Sequence, residues 1–275
     1  MITWDNPHFC NVEGHRLAYH RMGKGRTILF VHGITTYSFI WRNIAPFFTS
    51  DFQVLCLDLL GCGDSDKPLD QSYSIKNHAR ILKKFLDQLG IDRIHFVGHD
   101  IGGGIGQVFA VNYPDTLYDL TLINSVAYDF WPVQPIIAMR TPIIRQMAMA
   151  TLDLGALRLI VRRGLYHKEK LSPELMALFW KPMKSKQGRK GFLRFAECLN
   201  NRHLLEIEGQ LHHLALPVLI IRGDADTYLS QAISEKLNKN IPNSQLVRIP
   251  TGGHFLQEDE PASVAHAIRQ FIAKG

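Results

Sequence analysis

Three short stretches of the chain put reactive side chains at places where a strand should end in a turn. In FVGHDIGGGIG an apolar run stops at Gly98, presents Asp100, and restarts as a glycine-rich segment with helical character. Glycines two residues before and two after the acid, Gly98 and Gly102, suit a cramped strand-to-helix turn where neighbouring Cβ atoms would collide. A carboxylate there faces the positive end of the helix dipole and unpaired backbone N–H groups, which predicts that Asp100 stays ionised. Such a group is a ready nucleophile, although a helix N-cap is the plainer role for the same residue. In RGDADTYLS, Asp226 follows an apolar run, and in TGGHFLQEDEP, His254 follows the last one. Taken singly, Asp226 fits a turn former and His254 a surface-loop histidine. Taken with Asp100, they supply an acid that can orient an imidazole and an imidazole that can activate water against a covalent intermediate.

The order nucleophile, acid, histidine along the chain agrees with the nucleophile-elbow arrangement, with Asp in place of the usual Ser. A further piece is FVHGITTYSFIWRNI, where His32 and Gly33 end a strand and the amide of Ile34 could join that of Ile101 as an oxyanion hole.

These residues need a scaffold that ends several strands along one edge. TILFVHG, FQVLCLDL, IHFVGHD and LTLINS are short, unalternating apolar runs, as expected of strands buried on both faces of a parallel sheet, and VLIIRG and QLVRIP read as further strands late in the chain. Helical patterns lie between them. In SIKNHARILKKFLDQLG, Ser74 offers a cap, Ile81, Leu82, Phe85, Leu86 and Leu89 recur at helical spacing, and Gly90 supplies the stop. Others run from about Ile101 to Tyr113, over SQAISEKLNK, and over PASVAHAIRQFIA. Alternating strands and helices imply an α/β fold with a mostly parallel central sheet flanked by helices. From about Tyr128 to His213 the strand signal disappears. The expectation is a core domain of residues 1–127 and 214–275 with an inserted helical cap at 128–213.

Together the quoted segments resemble the α/β-hydrolase superfamily, in its haloalkane dehalogenase and epoxide hydrolase branch with an Asp nucleophile. HGITTYSFIWRNIAPF, DLLGCGDSDKP, GHDIGGG and GGHFLQEDEP fall in that family's order. The resemblance implies a hydrolase in which Asp100 attacks an sp³ carbon of a small apolar substrate and His254, oriented by Asp226, delivers water to the alkyl-enzyme ester. Dehalogenases of this branch often hold the halide with an Asn after His-Gly and a Trp after the nucleophile, where this chain has Ile34 and Ile101. Epoxide-hydrolase-like chemistry is therefore favoured, with tyrosines such as Tyr128 and Tyr166 as proton donors. Haloalkane or haloacid dehalogenation is the alternative, then ester or lactone hydrolysis. Some dehalogenases take the triad acid after the strand that here ends near Asn124, which makes Asp129 the runner-up to Asp226. Trp41, Phe130, Trp131 and Trp180 are candidate pocket walls, Trp41 and Trp131 foremost, although core packing explains any one of them equally well.

Composition narrows the remaining classes. A formal charge of +6 and a pI near 9.1 could favour anionic partners, yet the densest basic stretch, KPMKSKQGRKG, lacks interleaved aromatics and fits a solvated face better than a nucleic-acid surface. The four cysteines form no zinc-type spacing, and neither a metal nor any other cofactor is implied. No membrane span or signal segment is evident, so a cytoplasmic protein is expected. A dinucleotide-binding reading of GHDIGGGIG fails on glycine register and on Asp100, which would repel a pyrophosphate. A ligand-binding receptor of the same fold with little turnover stays open, as does the oligomeric state.

Overall fold

The computed structural model describes residue 4 and residues 6–129 and 155–273. Among these, β1 (His8–Val12), β2 (His15–Met22), β3 (Arg26–Val31), β4 (Phe52–Leu57), β5 (Ile94–Asp100), β6 (Leu117–Ser125), β7 (Val218–Gly223) and β8 (Ser244–Ile249) form one sheet. Their order is β1-β2-β4-β3-β5-β6-β7-β8. The strands from β3 to β8 pair in parallel, and β5 is buried along its whole length, in keeping with its apolar run.

The edge formed by β1 and β2 has no counterpart in the sequence-based expectation. These two strands make an antiparallel hairpin, and β2 runs antiparallel to β4. Glu13 and Gly14 carry φ of 53° and 84°, the conformation of a two-residue hairpin turn, so the signal was the Glu-Gly pair between Val12 and His15.

Helix α1 (Ile75–Gln88) begins where the Ser74 hydroxyl accepts from Asn77 N at 3.2 Å, and it buries Ile81, Leu82, Phe85 and Leu86 against one sheet face. Helix α2 (Ile101–Asn112) follows β5 without a break, and its glycines let it press on the sheet: a Cβ on Gly103 would lie 2.2 Å from Ser125 Oγ. Between β6 and β7 the described elements are helical only: α3 (Leu157–Gly164), α4 (Pro173–Trp180), α5 (Lys186–Cys198) and α6 (Arg202–Glu208). The chain closes through α7 (Gln231–Asn240), the short α8 (Leu256–Asp259) and α9 (Pro261–Ile272). Two hydrophobic layers, one on each face, hold the sheet between helices. No helix among the described residues is long and apolar enough to cross a membrane.

Candidate active site

The carboxyl ends of β3, β5, β6, β7 and β8 converge on one edge, and the chain leaving each contributes to a common site. Asp100 stands at the junction of β5 and α2 with φ 53° and ψ −116°, a strained backbone for a residue with a Cβ. Glycines make room for it: a Cβ on Gly98 would lie 2.4 Å from Gly102 O, and one on Gly102 would lie 2.3 Å from Val31 O. Its side chain does not cap α2. Instead Oδ2 accepts the amide of Ile34 at 3.1 Å, and the Ile101 amide also bonds to the carboxylate. The two amides expected to form an oxyanion hole are thus both engaged with the Asp100 carboxylate.

His32 shapes the first of these amides. Its Nδ1 donates to Gly33 O at 2.8 Å and its Nε2 accepts from Leu59 N at 3.0 Å, while the Thr36 hydroxyl donates to the same Gly33 carbonyl at 3.1 Å. With that carbonyl held, the next N–H is directed at Asp100.

His254, on the loop after β8, lies with Nδ1 3.0 Å from Asp226 Oδ2. Asp226 is fixed on its other oxygen by the amides of Tyr228 at 2.8 Å and Leu229 at 3.1 Å. The buried Arg222 guanidinium adds Nη1 at 3.5 Å from the oxygen that faces His254. Asp129, the runner-up acid, sits in an exposed turn.

Burial dominates the electrostatics. It pushes the Asp100 carboxyl up to about 6, against the attraction of His254 and the amide bonds from Ile101 and Ile34. The amides act in the direction expected from the helix terminus, but desolvation outweighs them, so the acid stands above its ordinary value while staying mostly ionised at neutral pH. Burial also pulls His254 downward, and the charge and hydrogen bond of Asp226, then the charge of Asp100, carry it net above an ordinary imidazole. For Asp226, burial works upward, and His254 and Arg222 hold it below the usual carboxylate range.

Other expectations about the pocket change. The Tyr128 hydroxyl lies 3.2 Å from Asn240 Nδ2 in a ring that is 1% exposed. Asn240 ends α7, so the hydroxyl is engaged by that helix and the ring packs in the hydrophobic layer. Trp41 is fully buried against Phe30 at 5.0 Å between ring centres and belongs to the core. Trp180 is partly buried on both hydrophobic layers. Tyr166 is 45% exposed, although its amide is tied to Asp259 Oδ2 at 2.8 Å. Phe130 and Trp131 lie outside the described residues.

Residue-type reasoning missed the supports. His99 Nε2 donates to the His254 carbonyl at 2.9 Å. Asn124 Nδ2 reaches the same carbonyl at 3.0 Å and Gly253 O at 2.9 Å, while its Oδ1 accepts from Gly223 N at 2.9 Å. Asn124 thus staples the ends of β6, β7 and the histidine loop. Asp259 accepts from Gly253 N, Tyr166 N and His167 N at 2.8 to 2.9 Å, joining that loop to the helical segment. Both His99 and Asn124 lie inside motifs already noted, but neutral polar residues carry no signal until their partners are known.

A sheet of this order, an acid at the β5–α2 turn and a histidine after β8 define an α/β hydrolase. The model of the α/β hydrolase fold family matches residues 26–261, and the chain belongs to that family of enzymes. More narrowly, it falls in the dehalogenase-like branch. Haloalkane dehalogenase 2 of Mycobacterium tuberculosis is 31% identical over 266 residues, spanning 92% of this chain and 90% of that protein. The cis-3-alkyl-4-alkyloxetan-2-one decarboxylase of Shewanella oneidensis is 27% identical over 281 residues, spanning 97% and 88%. The crystal structure of haloalkane dehalogenase DbeA from Bradyrhizobium elkani superposes with a TM-score of 0.86 at 26% identity, covering 98% of each chain.

Proposed function

We propose that the enzyme opens a small, strained oxygen ring with Asp100 as nucleophile at an sp³ carbon, an epoxide being the leading substrate class. The observation that carries the reading is the seat of Asp100: a buried carboxylate in a strained turn, with Oδ2 held by the Ile34 amide at 3.1 Å, beside the His254–Asp226 pair. Attack breaks the ring C–O bond and forms an alkyl ester of Asp100, with Oδ2 as its carbonyl oxygen, while the ring oxygen keeps the bonding pair and takes a proton from the Tyr166 hydroxyl, which regains one from solvent. His254, oriented by Asp226, then takes a proton from water, which adds to the ester carbon. The negative charge develops on Oδ2, between the amides of Ile34 and Ile101. Collapse expels the alcohol and returns the carboxylate with one oxygen derived from water. A carboxylate suits this chemistry because attack on an ordinary ester would give a reactive anhydride instead. Residues 128–213 act as a cap that closes the apolar substrate in.

The apolar side chains of Ile34 and Ile101 offer no donor to a departing halide, which favours ring opening over dehalogenation. A second reading is favoured by the engagement of Tyr128 with Asn240. Opening an oxetan-2-one at its ring sp³ carbon releases a carboxylate, which needs no proton donor. Loss of CO₂ from that intermediate, with the breaking C–C electrons forming an alkene and expelling the Asp100 carboxylate, would complete the turnover without water.

The test is intact-protein mass spectrometry of His254→Ala after exposure to terminal epoxides, bromoalkanes and cis-dialkyl oxetan-2-ones. Expected is an adduct on Asp100 from epoxides. Alkene and CO₂ from the oxetanone in the wild-type enzyme would select the second reading, and an adduct from bromoalkanes alone would select dehalogenation. A folded protein that forms no adduct and no product with any of the three refutes carboxylate catalysis.

A further inference from the structure

The opposite end of the sheet, where the parallel strands begin, carries a second feature that the hydrolase reading does not use. A cleft of about 540 Å³ is lined by Arg21, Arg26 and Arg93 together with Thr27, Gln53 and Tyr118. Asp100 ends β5 and this cleft lies at its start, which separates the two by about 20 Å of strand. Elsewhere on the described surface arginines are commonly neutralised: Arg16 meets Asp66, Arg80 meets Glu13, Arg248 meets Asp224 and Arg269 meets Asp51. Among the described residues, the three cleft arginines have no carboxylate within ion-pair distance, even though Asp92 lines the same cleft.

Two of them share one aromatic partner. The guanidinium carbons of Arg26 and Arg93 lie 5.3 Å and 4.3 Å from the centre of the same Tyr118 ring. The ring itself is fixed from behind. His95 stacks on it at 4.9 Å, and His95 Nδ1 is paired with Asp119 Oδ2 at 2.6 Å in a buried contact. Arg93 is anchored in addition by Nη2 donating to Leu117 O at 2.9 Å, which leaves its other nitrogens uncommitted. Like charges gathered on one ring repel each other, and a planar fork with free N–H groups matches the oxygens of a phosphoryl group. Placement on a rigid strand edge with a buttressed ring means that little ordering is needed on binding.

We propose that this cleft is an anion site for a phosphoryl group, contacted by Arg26 and Arg93 with Arg21 completing the charge. The ligand is either a small phosphate or pyrophosphate compound or the phosphomonoester headgroup of a lipid, and it binds independently of the reaction at Asp100.

The test uses the full chain. Calorimetric titration with inorganic pyrophosphate is compared between wild type, Arg26→Gln/Arg93→Gln, and a control, Arg16→Gln/Arg80→Gln, which removes the same charge at two carboxylate-paired sites. Expected is saturable one-to-one binding that weakens by about tenfold or more in the cleft variant and less than about twofold in the control. Sedimentation with vesicles of phosphatidylcholine and phosphatidic acid, against phosphatidylcholine alone, is run on the same three proteins. Vesicle binding that the cleft variant alone loses supports the site with a lipid source, whereas pyrophosphate binding without vesicle binding assigns a soluble one. The proposal is overturned if neither probe binds, or if the control variant loses as much as the cleft variant. The exposed Arg26→Gln single variant supplies the comparison if the double variant does not fold.

Discussion

Replacing Asp226 by Asn tests whether His254 acts as a base in a second, separable step. Asp226 Oδ1 accepts the amides of Tyr228 and Leu229 at 2.8 and 3.1 Å, so an Asn keeps its carbonyl oxygen there and turns Nδ2 toward His254. That position now receives His254 Nδ1 at 3.0 Å and Arg222 Nη1 at 3.5 Å, both of which donate. An amide N–H facing them forces the imidazole to accept at Nδ1 and carry its proton on Nε2, the atom that must take a proton from water. A tautomer inversion of this kind in a serine-hydrolase triad costs about 10⁴ in turnover, or ~5.4 kcal/mol in barrier, and the same loss is expected here in the hydrolytic step. Stability also falls, because the Arg222 guanidinium is left beside an amide in a buried site; breaking such a pair costs about 3–5 kcal/mol. The lower end applies, since Nη2 keeps the Asp226 carbonyl at 3.3 Å. Attack by Asp100 does not use His254, so quenched single-turnover samples should show alkylation within about tenfold of wild type and an ester that persists. Steady-state turnover of Asp226→Asn within tenfold of wild type, in protein folded by circular dichroism, refutes the reasoning. So does a parallel loss of alkylation and hydrolysis.

Three further outcomes follow from the same geometry. Asp100→Asn should abolish turnover yet stabilise the fold, because an acid moved from 3.8 to about 6 costs the native state up to ~3 kcal/mol once it is ionised. The sign is that of a raised acid: the difference between variant and wild type should vanish below the unfolded value of 3.8, grow as pH rises from there to the folded value of about 6, and level off above it. Urea unfolding across that range checks it, and a pH-independent difference would contradict the burial argument. In His254→Ala the alkylation rate should lose its acid limb above about pH 6 rather than below it, because His254 is a charge that lowers Asp100. A limb near the ordinary carboxylate value of 3.8 would mean that Asp100 is solvated. Tyr128→Phe should leave kcat within twofold and cost about 1 kcal/mol through the lost bond to Asn240; a tenfold fall in kcat without a stability change would put this hydroxyl back in the reaction.

The central fold was legible because parallel strands buried on both faces are written as unbroken apolar runs, and because Ser74, Gly90 and Pro261 mark helix ends by local chemistry. The hairpin of β1 and β2 escaped notice for a related reason. HFCNV and HRLAYHRM mix exposed and buried positions at the sheet edge, so they read as neither an apolar run nor a clean alternation. Only the Glu13-Gly14 turn between them carries a conformational requirement. The pocket was less legible still. The resemblance offers Tyr128 as a proton-donor tyrosine, but its hydroxyl meets Asn240 and its ring is buried, a partnership between segments 112 residues apart that no neighbour in sequence foretells.

Asp100, Asp226 and His254 could be picked out from residue types because each stands where the end of a strand makes a turn. Their tuning could not. Whether Asp100 is lowered by two amides or raised by desolvation depends on how completely the surrounding helices exclude water, and that is a property of packing between segments far apart in the chain. The structure resolves the competition in favour of burial, with consequences for rate. A carboxylate that water solvates poorly is a stronger nucleophile toward carbon, and the same dry surroundings strengthen its attraction for His254 and the pull of Asp226 on that imidazole. Holding Asp100 near 6 keeps most of it ionised at neutral pH while preserving that advantage. His99, Asn124 and Arg222 belong to this balance. The first two fix the His254 backbone from β5 and β6, and the third adds the buried positive charge that keeps Asp226 ionised. Substitution at any of them should therefore move the pH dependence of hydrolysis more than that of alkylation.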